Sequence, residues 1–256
     1  MKTLAVIPAR YASSRLPAKP LLRETGKYLI EHVYERASAA RHIDQVIVAT
    51  DDARIEAAVK SFGGQVAMTR DDHQSGTDRV AEVAARHDAD IVVNLQGDEP
   101  LIDPDALDFV AELLTRHQQA AMATLATPLL SLEQYHNPNC VKVVVGELGQ
   151  ALYFSRSPIP FVRDSAPPLG QEPFQFFLHI GLYAYRRDFL LKLAETPPTA
   201  LEQLEKLEQL RVLSMGQRIQ VGMVAHATAG VDTPEDYARF VAAWRLNQPE
   251  QRRQAA

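Results

Sequence analysis

A single cysteine, Cys140, stands in 256 residues. It excludes an intramolecular disulfide framework, and a chain of this length without bridges suits a reducing compartment, so a cytoplasmic location is expected. Long apolar runs are missing too. The longest uncharged stretch, 117–132, is broken by Gln, Thr and Pro, and it falls short of the roughly 20 apolar residues of a membrane span. The opening MKTLAVIPAR has too few apolar residues before Arg10 for a signal peptide, so export is not expected. Positive charge is not in excess: 27 Lys and Arg against 32 Asp and Glu leave a net charge of −5. Bulk attraction to nucleic acid or an anionic membrane is thereby excluded, and any phosphate chemistry must be arranged locally. Neither a Gly-x-x-x-x-Gly-Lys loop nor a Gly-x-Gly-x-x-Gly fingerprint occurs, which argues against a Walker NTPase and an NAD-binding enzyme. No pair among the 8 histidines has zinc-ligand spacing. What remains, 46% hydrophobic and 23% charged residues, is the composition of a compact, enzyme-sized globular protein.

Short β-branched runs at 4–7, 46–49 and 91–95 alternate with stretches of helical period at 29–40, 52–62 and 77–87. That order predicts βαβ units and a parallel sheet, and the nearly continuous apolar character of the strands predicts burial on both faces. A helix from Pro104 to about Gln118 follows. Strands are then predicted at 122–126, 141–145, 152–154 and 179–185, with 163–173 a proline-rich loop or crossover. Alternation returns with a helix at 201–214, a strand at 219–225 and a helix from about 234 to 247, before a frayed polar tail.

The segment between Pro8 and Pro20 holds three cations, Arg10, Arg15 and Lys19, and no acid. It follows the first strand, where open α/β sheets bind ligands, and its prolines restrict the backbone while the cations offer donors to phosphate oxygens. A solvated basic loop is the alternative. Gly97 and Asp98 close the third apolar strand; Gly97 implies close backbone approach, to a ligand among other choices, and Asp98 is either a hard oxygen ligand for Mg²⁺ or a turn former. Thr233, Pro234 and Asp236 suffice to start the last helix, which leaves Asp232 free to be a second metal ligand or merely to favour the helix dipole. On a continuous helix over 201–214, Glu208 falls on an apolar stripe with Leu201, Leu204 and Val212, and there it either pairs with Arg211 or faces a polar ligand; the ligand is the preferred reading. His179, Gly181 and Tyr183 share one face of a strand. Ser75 or Thr77 is placed to cap a helix that carries Arg79.

The segments IPARYASSRLPAKPL from Ile7, MTRDDHQSGTDR from Met68, NLQGDEPLI from Asn94, NPNCVKVVV from Asn137, ALYFSRSPIP from Ala151, HIGLYAYR from His179, LEKLEQLRVL from Leu204 and GVDTPEDYARF from Gly230 occur in this order. Together they resemble the 3-deoxy-manno-octulosonate cytidylyltransferases, or CMP-Kdo synthetases, over nearly the whole chain. The resemblance implies transfer of CMP from CTP to the anomeric hydroxyl of 3-deoxy-manno-octulosonate (Kdo) for lipopolysaccharide synthesis, with release of pyrophosphate. It implies an α/β fold, a Rossmann-like nucleotidyltransferase with a mostly parallel central sheet, Mg²⁺ as cofactor, and a homodimer. Residues 1–256 then form a single nucleotidyltransferase domain, with about 1–120 and 200–247 as the nucleotide-binding body and about 121–199 as a smaller β-rich subdomain for sugar binding and dimerisation. By position, Ala9, Arg10, Ser13, Arg15 and Lys19 would bind the CTP phosphates and cytidine, with Gln74, Ser75 and Arg79 near base and ribose. Asp98 and Asp232 would hold the metal and, with Arg10 and Lys19, form the catalytic set. Gln96, Arg156, His179, Tyr183, Glu208 and Gln209 would line the Kdo pocket. Two positions depart from the family pattern: Ala18 where members commonly have Gly, and Leu178 where many have a basic residue. Other ulosonic acids such as 8-amino-Kdo or an acylneuraminate, a sugar 1-phosphate, and a non-catalytic nucleotide-binding role are the alternatives.

Overall fold

The computed structural model describes residues 1–12, 15–171, 173 and 175–246. The fold is mixed α/β with mostly parallel strands, and the chain divides into two compact units. One comprises Leu4–His87, Asn94–Asp105 and Thr228–Ala256; the other comprises Met1–Thr3, Asp88–Val93 and Ala106–Ala227.

The first unit is built on β1 (Thr3–Pro8), β2 (Gln45–Thr50) and β3 (Val66–Met68), parallel and in the order β3-β2-β1. Its helices are α1 (Leu29–Ser38), α2 (Ala53–Ser61) and α3 (Gly76–Ala85). Strands β1 and β2 are almost wholly buried, as their unbroken apolar runs require. Strand β3 was not foreseen: it has only three residues and none is fully buried, so it leaves no period in the sequence. Ser75 caps α3, accepting a hydrogen bond from the Asp78 amide, while the Asp78 carboxylate accepts one from the Ser75 amide.

The second unit carries β4 (Ile91–Asn94), α4 (Pro104–Arg116), β5 (Ala120–Pro128), α5 (Leu132–His136), β6 (Lys142–Val145), β7 (Ala151–Ser155), β8 (Phe177–Arg186), α6 (Arg187–Glu195), α7 (Ala200–Glu205), α8 (Gln209–Ser214) and β9 (Arg218–Met223). The strands run in the order β4-β8-β5-β9, with β6 and β7 as an antiparallel hairpin against β8. Strand β5 pairs parallel with β9 and antiparallel with β8. Helices α5 and α6 add to the predicted elements, and β9 ends at Met223 rather than residue 225.

The single helix expected over 201–214 is corrected to two. Lys206 takes a left-handed conformation (φ 52°) and breaks the chain direction between α7 and α8. Leu204 is 80% exposed, so the apolar stripe inferred for Glu208 does not exist. The buried ion pair of this region is Arg211 with Glu202, and Glu208 lies 3.9 Å from Arg211 at the start of α8.

The last helix, α9 (Pro234–Leu246), belongs to the first unit. Thr233 and Asp236 form its reciprocal cap, as the sequence indicated: the Thr233 hydroxyl accepts from the Asp236 amide, and the Asp236 carboxylate accepts from the amides of Asp232 and Thr233. The frayed tail, the end of this helix at 247 and Ser13 lie outside the described residues.

Candidate active site

The carboxyl end of β1 opens into a cleft of about 380 Å³, lined among others by Ala9, Arg10, Arg15, Lys19, Gly76 and Gln96. Asp98 and Asp232 complete it. The basic loop is fixed by Leu16, which is buried in a cluster with Leu29, Val231, Tyr237, Phe240 and Val241. Apolar anchoring at Leu16 thus leaves the cations on either side of it to face the cleft.

The two acids are brought together by main chain. The Val231 amide donates to the Asp98 carbonyl at 2.8 Å, which ties the loop after β4 to the loop before α9. Lys19 then bridges their side chains, its ammonium donating to Asp98 Oδ2 at 2.7 Å and to Asp232 Oδ1 at 3.1 Å. Arg15 approaches the same Asp232 oxygen at 3.2 Å. Arg10 donates to the His73 carbonyl at 3.1 Å, and the Ala9 amide to the Ala49 carbonyl at 2.9 Å. Three cations and two carboxylates leave the cleft one charge positive, and Gly76 places the N-terminus of α3 in its wall. Both features favour an anion.

Gly97 has a steric reason that differs from the ligand approach considered above. A Cβ there would stand 3.0 Å from the Pro8 carbonyl oxygen, so glycine is needed for the packing of two backbone segments. Ala18 adopts φ 54°, in the left-handed region, although it is not glycine. Neighbouring Glu99 has its pKa raised to about 7, by burial first and by the Asp98 charge second. Its burial was not foreseen, because nothing in the sequence distinguishes it from a surface acid.

Other expected nucleotide residues are engaged elsewhere. Ser75 is used as the helix cap, and Gln74 donates to the Asp72 carbonyl. Arg79 is buried, paired with Asp51 at 2.8 Å and bonded to the Thr69 hydroxyl, and it does not line the cleft.

Of the six expected sugar residues, Gln96 lines this cleft and the other five belong to the second unit. His179 and Tyr183 share one face of β8, their rings 5.5 Å apart, and Phe154 meets His179 edge-on. Burial lowers the His179 pKa to about 3, so the ring is neutral. Thr124 Oγ1 lies 3.0 Å from its Nε2. The Tyr183 hydroxyl reaches Gln209 Oε1 at 3.5 Å, and Gln209 Nε2 is a buried donor with no acceptor among the described residues. Such a group calls for a ligand or water. Arg156 donates to the carbonyls of Glu205 and Pro138. Leu178 packs beside Leu129, Tyr135 and Phe176, so an apolar contact occupies the position where a cation was expected in relatives.

The fold and this cleft define a nucleotide-binding α/β protein whose anion site lies beyond a strand's carboxyl end. The family described as Cytidylyltransferase matches residues 4–219. The chain is 53% identical over 245 residues to the 3-deoxy-manno-octulosonate cytidylyltransferase of Syntrophotalea carbinolica, covering 94% of this chain and 98% of that one. The enzyme of the same name from Geobacter sulfurreducens is 52% identical over 246 residues, covering 94% and 98%. A solved CMP:2-keto-3-deoxy-manno-octonic acid synthetase complexed with CTP superposes with a TM-score of 0.91 at 45% identity, over 97% of this chain and all of that one. A cytidylyltransferase from Leptospira borgpetersenii, at 19% identity and a TM-score of 0.64 over 97% and 88% of the two chains, shares the fold. The chain belongs to the cytidylyltransferase family, among its 3-deoxy-manno-octulosonate members.

Proposed function

We propose that this enzyme transfers CMP from CTP to the anomeric hydroxyl of Kdo and releases pyrophosphate. The observation that carries the reading is the convergence of Lys19, Asp98 and Asp232 at one point of a cation-lined cleft. In the reaction the sugar hydroxyl oxygen forms a bond to the α-phosphorus, the bond from that phosphorus to the bridging oxygen of the β-phosphate breaks, and the hydroxyl proton is lost to solvent. Phosphoryl chemistry of this kind leaves the protein mainly positioning and charge stabilisation to perform. Arg10, Arg15 and Lys19 orient the triphosphate and neutralise charge growing on the departing pyrophosphate. No side chain is assigned as general base.

The donor set is of the kind Mg²⁺ takes: two hard carboxylate oxygens that converge on one ammonium. Asp98 and Asp232 would hold the ion, which when bound supplies Lewis-acid neutralisation of phosphate oxygens and a lower pKa for the attacking hydroxyl. The second unit's His179, Tyr183, Gln209 and Arg156 supply the polar surface for the acid sugar, with Glu208 at the start of α8.

The single cysteine and the sugar chemistry support a cytoplasmic place in lipopolysaccharide synthesis. No helix among the described residues is long and apolar enough to cross a membrane. A homodimer belongs to the same reading, by likeness to the family, and the second unit has exposed apolar side chains, among them Leu130, Leu132, Leu148, Leu152 and Phe161. Pyrophosphate release, measured with each nucleoside triphosphate against Kdo, 8-amino-Kdo, N-acetylneuraminate and a sugar 1-phosphate, tests the specificity. The highest kcat/KM is expected for CTP with Kdo; a higher value for another pair would reassign the substrate.

A further inference from the structure

Lys142 opens β6 and its side chain is completely buried. Its ammonium donates to three main-chain carbonyls: Asn137 at 3.0 Å, Cys140 at 2.5 Å and Arg156 at 2.6 Å. All three hydrogens are therefore used, and burial pushes the lysine's pKa below its ordinary range. A methionine would fill similar volume without desolvating a charge, so packing alone does not account for a lysine here. What the ammonium adds is a fixed point at which the 137–140 turn and the end of β7 meet.

The same point continues into Arg156 and Glu205. The Arg156 guanidinium donates to the Pro138 carbonyl at 2.9 Å and to the Glu205 carbonyl at 2.6 Å. The Glu205 carboxylate accepts from the Arg156 amide at 2.9 Å and the Ser155 hydroxyl at 2.6 Å. Glu205 is the last residue of α7, and the left-handed Lys206 follows it, so the knot holds the chain at the break that delivers Gln209 to the start of α8. Gln209 carries the buried amide donor that finds no acceptor among the described residues.

We propose that Lys142 and Glu205 are positioning residues for the acid-sugar pocket, fixing Arg156 and the α7–α8 break from which Gln209 projects. This rests on the assignment of those two residues to Kdo made above. It predicts a defect confined to one substrate, since the knot lies wholly in the second unit and the cation-lined cleft wholly in the first. Lys142→Met and Glu205→Gln should each raise KM for Kdo about tenfold or more, the scale of a displaced binding group, while KM for CTP stays within about twofold. CTP titration by calorimetry identifies the variants that fold, and Glu205→Gln carries the test if Lys142→Met does not. Unchanged KM for Kdo, or equal losses for both substrates, would overturn the proposal. Arg156→Ala and Gln209→Ala separate the two levels: if they leave KM for Kdo unchanged, the pocket assignment fails. If they raise it while Lys142→Met and Glu205→Gln do not, only the positioning role fails.

Discussion

Lys19 is 79 residues from Asp98 and 213 from Asp232, yet its ammonium touches both. The cationic loop and the two acids are separately legible, because each follows a strand or precedes a helix with its own local signature. Their ionic contact is not, since it depends on Leu16 and Val231 being buried in one cluster. Asp98→Asn should lower kcat by about 10²–10³-fold, the scale of losing one group that stabilises transition-state charge, with an unchanged thermal midpoint; steady-state turnover with matched melting curves checks this. Ala18 is a second residue-scale case. An alanine in the left-handed region is strained relative to glycine, so Ala18→Gly should stabilise the protein by up to about 1 kcal/mol, after allowance for the greater freedom of the unfolded chain. Urea midpoints measure it, and a destabilised variant would contradict the assigned strain.

Among the elements, β1, β2 and β4–β9 are legible from sequence, most plainly β1, β2 and β4, which are buried on both faces, while β3, with only three residues and none fully buried, leaves no pattern. The α7–α8 break is illegible for a different reason: helical periodicity runs through it, and the interruption is one lysine in a left-handed conformation, a choice composition does not announce. The Lys142 knot hides in the same way, as one cation in an apolar strand. Packing of α1 on α9 yields a pH prediction. His32 of α1 is buried against the rings of Phe240 and Trp244 and lies 2.7 Å from the Thr25 hydroxyl. Burial lowers its pKa from 6.5 to about 4. The unfolded chain therefore binds a proton that the folded one refuses, so this contribution to stability is complete above pH 6.5 and is lost as pH falls toward 4. The loss by about pH 5 is on the order of 1–2 kcal/mol. His32→Gln, which does not titrate, should flatten the decline in denaturant midpoint over this range; an identical slope in wild type and variant would show that His32 does not drive it.

For the molecule as a whole, the net charge of −5 and the local charge of the cleft answer different questions. The acidic total disfavours polyanions in general, while Arg10, Arg15 and Lys19 concentrate positive charge in one cleft at a strand end. The most direct measurement is the mass of the product formed from CTP, Kdo and Mg²⁺. The account predicts a phosphodiester of CMP and Kdo carrying one phosphorus, formed in equal amount with pyrophosphate. A product with two phosphorus atoms, or no product while CTP remains bound, would contradict it.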